Sequence, residues 1–139
     1  MIQIKRLDKD VPLPSYAHGD DAGFDLFARE EIVVPASGRA QIPSGIALAI
    51  PEGSVGLIWD KSGLSHKAGL KVLGGVVDAG YRGEVLVGIA NLTDTPHTFS
   101  KGDKIAQMLI QKVEHVSFKE VDELDETERG EGGFGSTGK

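Results

Sequence analysis

Hydrophobic residues in this chain come in short runs, broken every few positions by glycine or proline, which is the pattern of strands joined by turns. Residues 3–7 alternate weakly and predict a first strand. Pro12 and Pro14 then open the chain into an extended loop. A polar, glycine-punctuated segment leads to Asp25, at the start of the next predicted strand. Further strands are predicted over residues 31–34, 38–43 and 45–50. The small/large alternation from Ile46 to Ile50 fits a strand covered on both faces. A Pro51-Glu52-Gly53 turn precedes a strand over residues 55–59. Residues 62–69 predict one short helix, with Ser62 as N-cap and Gly69 as the stop. Residues 70–77 return to strand and run into Asp78-Ala79-Gly80, a turn. Strands over 84–91, 98–99, 104–113 and 116–120 complete the series. Such a succession predicts an all-β sandwich, barrel or jelly roll.

Composition narrows this further. The 139 residues suffice for one domain with a core and are too few for two ordinary ones. The β domain is predicted over residues 1–120. Residues 121–139 read as an acidic linker followed by a C-terminal arm too glycine-rich to hold a fold alone, expected to be mobile without a ligand. There is no cysteine, which removes disulfides, thiolate metal sites and thiol nucleophiles. The formal net charge of −6 opposes non-specific nucleic-acid binding. The first residues lack the apolar stretch of a signal peptide, and no run reaches membrane-spanning length. A cytoplasmic location and no membrane contact are the expectations.

Five regions could carry chemistry. At Gly75-Val76-Val77-Asp78-Ala79-Gly80-Tyr81, Asp78 and Tyr81 stand beside a turn. There they either meet a ligand or, for Asp78, bond the local backbone. At Lys61-Ser62-Gly63, backbone amides at a helix start with a neighbouring lysine suit an anion, or simply cap the helix. Asp25 and Asp78 are candidates for a general base or for holding metal-bound water, against a structural role in turns. Gln107, polar in an apolar run, either satisfies a backbone group or faces a site. In the tail, Gly133-Phe134-Gly135-Ser136-Thr137-Gly138-Lys139 copies much of a phosphate loop. It lacks the flanking strand and helix that a P-loop NTPase requires. Its glycines, hydroxyls and Arg129 still suit an anion. Phe134, isolated among small residues, suits stacking on a flat base. The alternative is an unstructured tail. The histidines at 18, 66, 97 and 115 show no metal-ligand spacing.

In order, these stretches resemble the five motifs of the trimeric dUTP nucleotidohydrolase (dUTPase) family. The motifs fall at residues 21–26, 61–64, 75–83, 102–108 and 129–138, and so span nearly the whole chain. The resemblance implies a jelly-roll-like distorted barrel with one short helix and a flexible glycine-rich C-terminal arm. It implies a homotrimer whose three active sites are shared between chains. It also implies hydrolysis of dUTP to dUMP and diphosphate, which limits uracil in DNA and supplies dUMP for thymidylate synthesis.

The roles implied are particular. Asp78 activates water against the α-phosphorus, aided by Gln107. Tyr81 packs under the deoxyribose, and the backbone of Gly75, Val76 and Val77 reads uracil. Lys61, Ser62 and Gly63 hold phosphates. Asp25 bonds waters of a Mg²⁺ ligated mainly by the triphosphate. Phe134 closes over uracil, while Arg129, Gly135, Ser136 and Thr137 grip the terminal phosphate. Two positions depart from the family pattern. Lys61 stands where arginine is common, which removes a planar bidentate fork. The segment before Asp78 lacks the asparagine that some members offer to uracil. The rival readings are a dCTP deaminase-like enzyme and a non-catalytic nucleotide-binding trimer of the same fold.

Overall fold

The structure is a computed structural model and describes every residue except Thr137 and Lys139. Twelve elements follow one another, eleven strands and one helix: β1 (Gln3–Arg6), β2 (Phe24–Phe27), β3 (Ile32–Val34), β4 (Arg39–Pro43), β5 (Ile46–Ala49), β6 (Ser54–Trp59), α1 (Ser62–His66), β7 (Leu70–Leu73), β8 (Val76–Val77), β9 (Leu86–Asn91), β10 (His97–Phe99) and β11 (Lys104–Lys112). All strand pairing is antiparallel. The largest sheet has the order β2-β11-β6-β8, and a second runs β4-β9-β7. β1-β5 and β10-β3 form two further two-stranded pairs. The result is the predicted all-β, jelly-roll-like barrel.

The core follows the period-2 rule. Val85, Val87 and Ile89 point inward while Leu86, between them, is exposed. They meet Leu26, Ile42, Ile46, Phe99, Ile105 and Met108, all within 1% of complete burial. Burying each such side chain contributes about 1.5–3 kcal/mol. β5 is covered on both faces, as its alternation predicts. Buried Asn91 is satisfied, with its amide on the carbonyls of Val34 and Thr95 and its oxygen accepting from Thr93.

Three local expectations change. The strand predicted over 70–77 is two strands in two different sheets. Gly74 (φ 68°) and Gly75 (φ 111°) break it with backbone angles that only glycine adopts cheaply. The helix begins at Ser62 itself, so Lys61, extended at φ −85° and ψ 132°, is the N-cap and supplies no side-chain cap. Residues 116–120 form no strand: β11 is the last element, and Val116 and Phe118 are exposed. No helix is long and apolar enough to cross a membrane among the described residues.

Candidate active site

β2, β11 and β6 lie side by side, and their register sets three residues in a row: Asp25 faces Gln107, which faces Trp59. β2 is buried along its whole length, so Asp25 carries its charge into the interior. Such a charge is tolerated only when paired. Lys61 holds one carboxylate oxygen, and Lys104 Nζ lies 2.6 Å from the other. Burial pushes the Asp25 carboxyl up. The hydrogen bonds from Lys104 and Lys61 more than offset this and hold it below the ordinary carboxylate range.

Gln107 donates Nε2 to the carbonyl of Asp60 at 2.9 Å. This settles its amide orientation and leaves Oε1 free. Gly23 makes room for that oxygen, since a Cβ there would lie 2.7 Å from it. Asp60 is itself held by Lys71 at 2.7 Å and by the Val72 N–H at 2.6 Å. Burial raises its pKa, but those two donors lower it further than burial lifts it. Asp25, Gln107, Lys61, Ser62, Gly63, His18 and Asp21 line one cavity of about 320 Å³. The first-turn N–H groups of α1 have no intrahelical partners, and no side chain caps them. The cavity therefore joins amide donors and a lysine to a free carbonyl oxygen, a chemistry suited to a polyphosphate.

Asp78 and Tyr81 are elsewhere. Together with Gln41, Val76, Val77, Glu84, Val85 and Leu86 they line a second cavity of about 270 Å³. β8 is the outer strand of its sheet, bonded to β6 on one side only. Its second edge keeps backbone N–H and C=O groups available. Gly75 gives its own carbonyl to Ile58 N–H at 2.8 Å. Asp78 is exposed. The Tyr81 N–H bonds its carbonyl at 3.1 Å, which makes the turn. Its carboxylate accepts no hydrogen bond among the described residues, so the local backbone bond that a purely structural aspartate would make is not formed.

Within one chain the two cavities stay apart. Gln107 faces Trp59 on β6, whereas Val77 faces Gly56 on that strand. Asp78 therefore leaves the sheet level with Val55, four residues from Trp59. At 3.3 Å per residue that is an offset of roughly 13 Å along the strands from Gln107, to which two strand spacings of about 4.8 Å are added across the sheet. One chain does not bring these two groups to one water molecule.

The arm carries Arg129, Phe134, Gly135 and Ser136; Thr137 lies outside the described residues. Residues 113–136 form neither helix nor strand. Arg129 donates Nε to Gly132 at 2.6 Å. Phe134 is fully exposed, in the left-handed region at φ 49°. Arg129, Phe134, Gly135 and Ser136 line neither cavity. Sequence reading missed Asp60 and Lys104. Lys104 meets Asp25 through the register of β11 against β2, and the Asp60 carboxylate meets Lys71 and Val72 of β7, in the other sheet; no local pattern signals either.

A cavity with amide and ammonium donors, a second with an unpaired carboxylate and an aromatic ring, and an all-β jelly roll together define a nucleotide-handling class of barrel. Comparison with known proteins narrows the class. The dUTPase family model matches residues 9–138, and this chain belongs to that family. A deoxyuridine 5'-triphosphate nucleotidohydrolase of Thermobifida fusca is 51% identical over 141 residues, covering 99% of this chain and 78% of the relative. The one from Corynebacterium glutamicum is 50% identical, covering 99% of this chain and 95% of the relative. Among solved structures, a mutant dUTPase of Staphylococcus bacteriophage 80alpha with dUpNHpp superposes with a TM-score of 0.92. It is 32% identical and covers 99% of this chain and 98% of that one. A mutant dUTPase from phage phi11 of S. aureus, described with a structural Mg(II) ion, gives a TM-score of 0.81. It is 30% identical and covers 88% of this chain and 97% of that one.

The chain's own donors limit how it can meet magnesium. No group of three or more His, Asp or Glu side chains is arranged to hold a metal among the described residues. Asp25 is the one carboxylate among the buried polar residues. Its two oxygens offer about four lone-pair positions, of which Lys61 and Lys104 use two. That set fits hydrogen bonds to the waters of a Mg²⁺ carried in by a triphosphate, and does not fit a metal held by protein alone.

Proposed function

We propose that this chain hydrolyses dUTP to dUMP and diphosphate in active sites shared between three copies. Family membership supports the chemistry. The observation that carries the sharing is the separation of Asp78 from Gln107 within one chain. A cyclic trimer turns the Asp78 cavity of one copy toward the Gln107 cavity of the next and joins the two halves.

In the joined site Asp78 takes a proton from water as the water oxygen bonds to the α-phosphorus. The bond from that phosphorus to the bridging oxygen breaks, and diphosphate leaves. Gln107 Oε1 accepts the second water hydrogen and so orients the nucleophile. Lys61 and the N–H groups of Ser62 and Gly63 offset charge on the phosphates. The free edge of β8, with Gly75, Val76 and Val77, pairs with uracil. A base with its donor and acceptor exchanged leaves buried groups unpaired and is rejected. Tyr81 closes the space that a 2′-hydroxyl would need. Asp25 would accept from the waters of a Mg²⁺ bound to the triphosphate, and that ion would supply positive charge against the phosphates. The arm then folds over, with Phe134 stacked on uracil and Arg129, Gly135, Ser136 and Thr137 on the terminal phosphate. The enzyme acts in the cytoplasm, keeps uracil out of DNA and supplies dUMP for thymidylate synthesis.

Mixing two inactive variants tests both chemistry and sharing. Asp78→Asn and Gln107→Ala homotrimers each bind dUTP and release little diphosphate. Co-refolded one to one, a site needs Asp78 from one chain and Gln107 from another, so roughly a quarter of wild-type activity returns. No recovery in verified mixed trimers sinks the shared site. Wild-type enzyme that deaminates dCTP, or that releases no diphosphate from dUTP, sinks the reaction.

A further inference from the structure

Within one chain Tyr81 stands 45% exposed and lines the second cavity. Its hydroxyl makes one hydrogen bond, to the backbone carbonyl of Glu84 at 2.9 Å. Gly83 lies beneath the ring; a Cβ there would come within 2.6 Å of Tyr81 Cζ. Within the chain, the one hydrogen bond that fixes the ring's hydroxyl therefore runs to the backbone of Glu84.

That backbone is fastened by its own side chain. Glu84 Oε1 accepts from the Gly45 N–H at 2.8 Å, and Oε2 lies 3.2 Å from the Arg29 guanidinium. Arg29 follows β2, and Gly45 lies between β4 and β5. Their own backbones are tied in by Arg29 N–H to Pro43 (2.8 Å) and Leu7 N–H to Gly45 (2.7 Å). Val85 N–H on Ile46 and Ser44 N–H on Val85 complete the frame, at 2.9 and 3.1 Å. Arg29, Gly45, Pro43 and Ile46 are not among the residues that line the Tyr81 cavity, whereas Glu84 and Val85 are.

We propose that Glu84, anchored by Arg29 and Gly45, is the positioning residue that makes Tyr81 a rigid filter against ribonucleotides. This rests on the reading of Tyr81 as the sugar filter. An apolar wall rejects one added hydroxyl weakly unless it cannot yield, and here the wall's stiffness comes from the barrel through the Glu84 carboxylate. A merely structural Glu84 would lower stability or slow both nucleotides alike. A positioning Glu84 changes the ratio between them.

The test measures kcat/KM for dUTP and for UTP in trimeric Glu84→Ala, with thermal unfolding alongside. The UTP-to-dUTP ratio rises about tenfold in Glu84→Ala, through a lower KM for UTP rather than a change in kcat for dUTP. Glu84→Gln, which keeps an acceptor for Gly45 N–H, rises less. Arg29→Met gives the same direction and stands in where Glu84→Ala does not fold, while Arg29→Lys partly restores the ratio. A ratio within about twofold of wild type in folded Glu84→Ala and Arg29→Met overturns the proposal. Tyr81→Ala separates the two levels. If it raises the ratio and the Glu84 and Arg29 variants do not, only the anchor is wrong; if it leaves the ratio unchanged, the filter itself is wrong.

Discussion

Asp25 shows how one residue can be set by opposing forces of similar size. Burial alone would raise its carboxyl pKa, yet the hydrogen bonds from Lys104 and Lys61 hold it below its ordinary range. A carboxyl whose folded pKa is depressed contributes stability above its unfolded value, 3.8. That contribution is lost as pH falls through the lower folded value. Acid titration of the folded protein, followed by chemical denaturation at each pH, should therefore show stability falling below pH 3.8. In Asp25→Asn the acid slope is shallower. At neutral pH the variant is less stable by about 2 kcal/mol, because two ammonium groups then face each other without a counter-charge. Equal acid slopes in the two proteins would show that the pair contributes nothing. The type of residue at position 25 was legible in the sequence. The lysine partners were not, since Lys104 is 79 positions away in the chain and meets Asp25 only through strand register.

At the level of elements, the hairpin before Asp78 owes its form to two glycines. A continuous strand over 70–77 would have kept Val76 and Val77 in the sheet with β9. The break at Gly74 and Gly75 sends them instead to β6, as the outer strand of the other sheet. This leaves the β8 edge open beside Asp78 and Tyr81. Hydrophobic pattern cannot show this, because both halves of the segment read as strand. Gly75→Ala tests the point. Its Cβ would meet the Ile58 carbonyl oxygen at 2.6 Å, at a φ of 111°. Backbone cannot yield as a side-chain tip can, so unfolding measurements should show a loss of about 2 kcal/mol or more. Binding of a non-hydrolysable dUTP analogue, followed by calorimetry, should weaken with it. A variant as stable as wild type, with unchanged binding, would mean that β8 tolerates another path.

For the whole molecule, the arm and the barrel are separable in contact but joined in the proposed reaction. Hydrogen bonds within residues 127–138 run between arm residues: Gly130 to Thr127, Gly132 to Arg129, Ser136 to Gly133 and Gly138 to Gly135. Among the described residues, removing the arm from Arg129 onward breaks no hydrogen bond of the barrel. The truncated protein should keep its strand content and its oligomeric mass by light scattering. Its kcat/KM for dUTP should fall about a hundredfold, since a loosely held triphosphate spends little time in line for attack. Normal rates in the truncated form would remove the arm from the reaction.

Short apolar runs, glycine and proline punctuation and five ordered motifs were enough, in the sequence alone, to determine an all-β barrel and its family. These are local signals: a period of two, turn residues, and side chains whose chemistry does not depend on neighbours. The tertiary structure decided what depends on long-range register. It split one expected strand between two sheets, removed another at 116–120, and paired Asp25 with two lysines. It also set Gln107 on Asp60 and offset Asp78 from Gln107 by roughly 13 Å along the strands of a shared sheet. Strand pairing joins residues by tens of positions at no cost in local pattern. The sequence could therefore name the parts of this site, and only the fold could tell which of them one chain brings together.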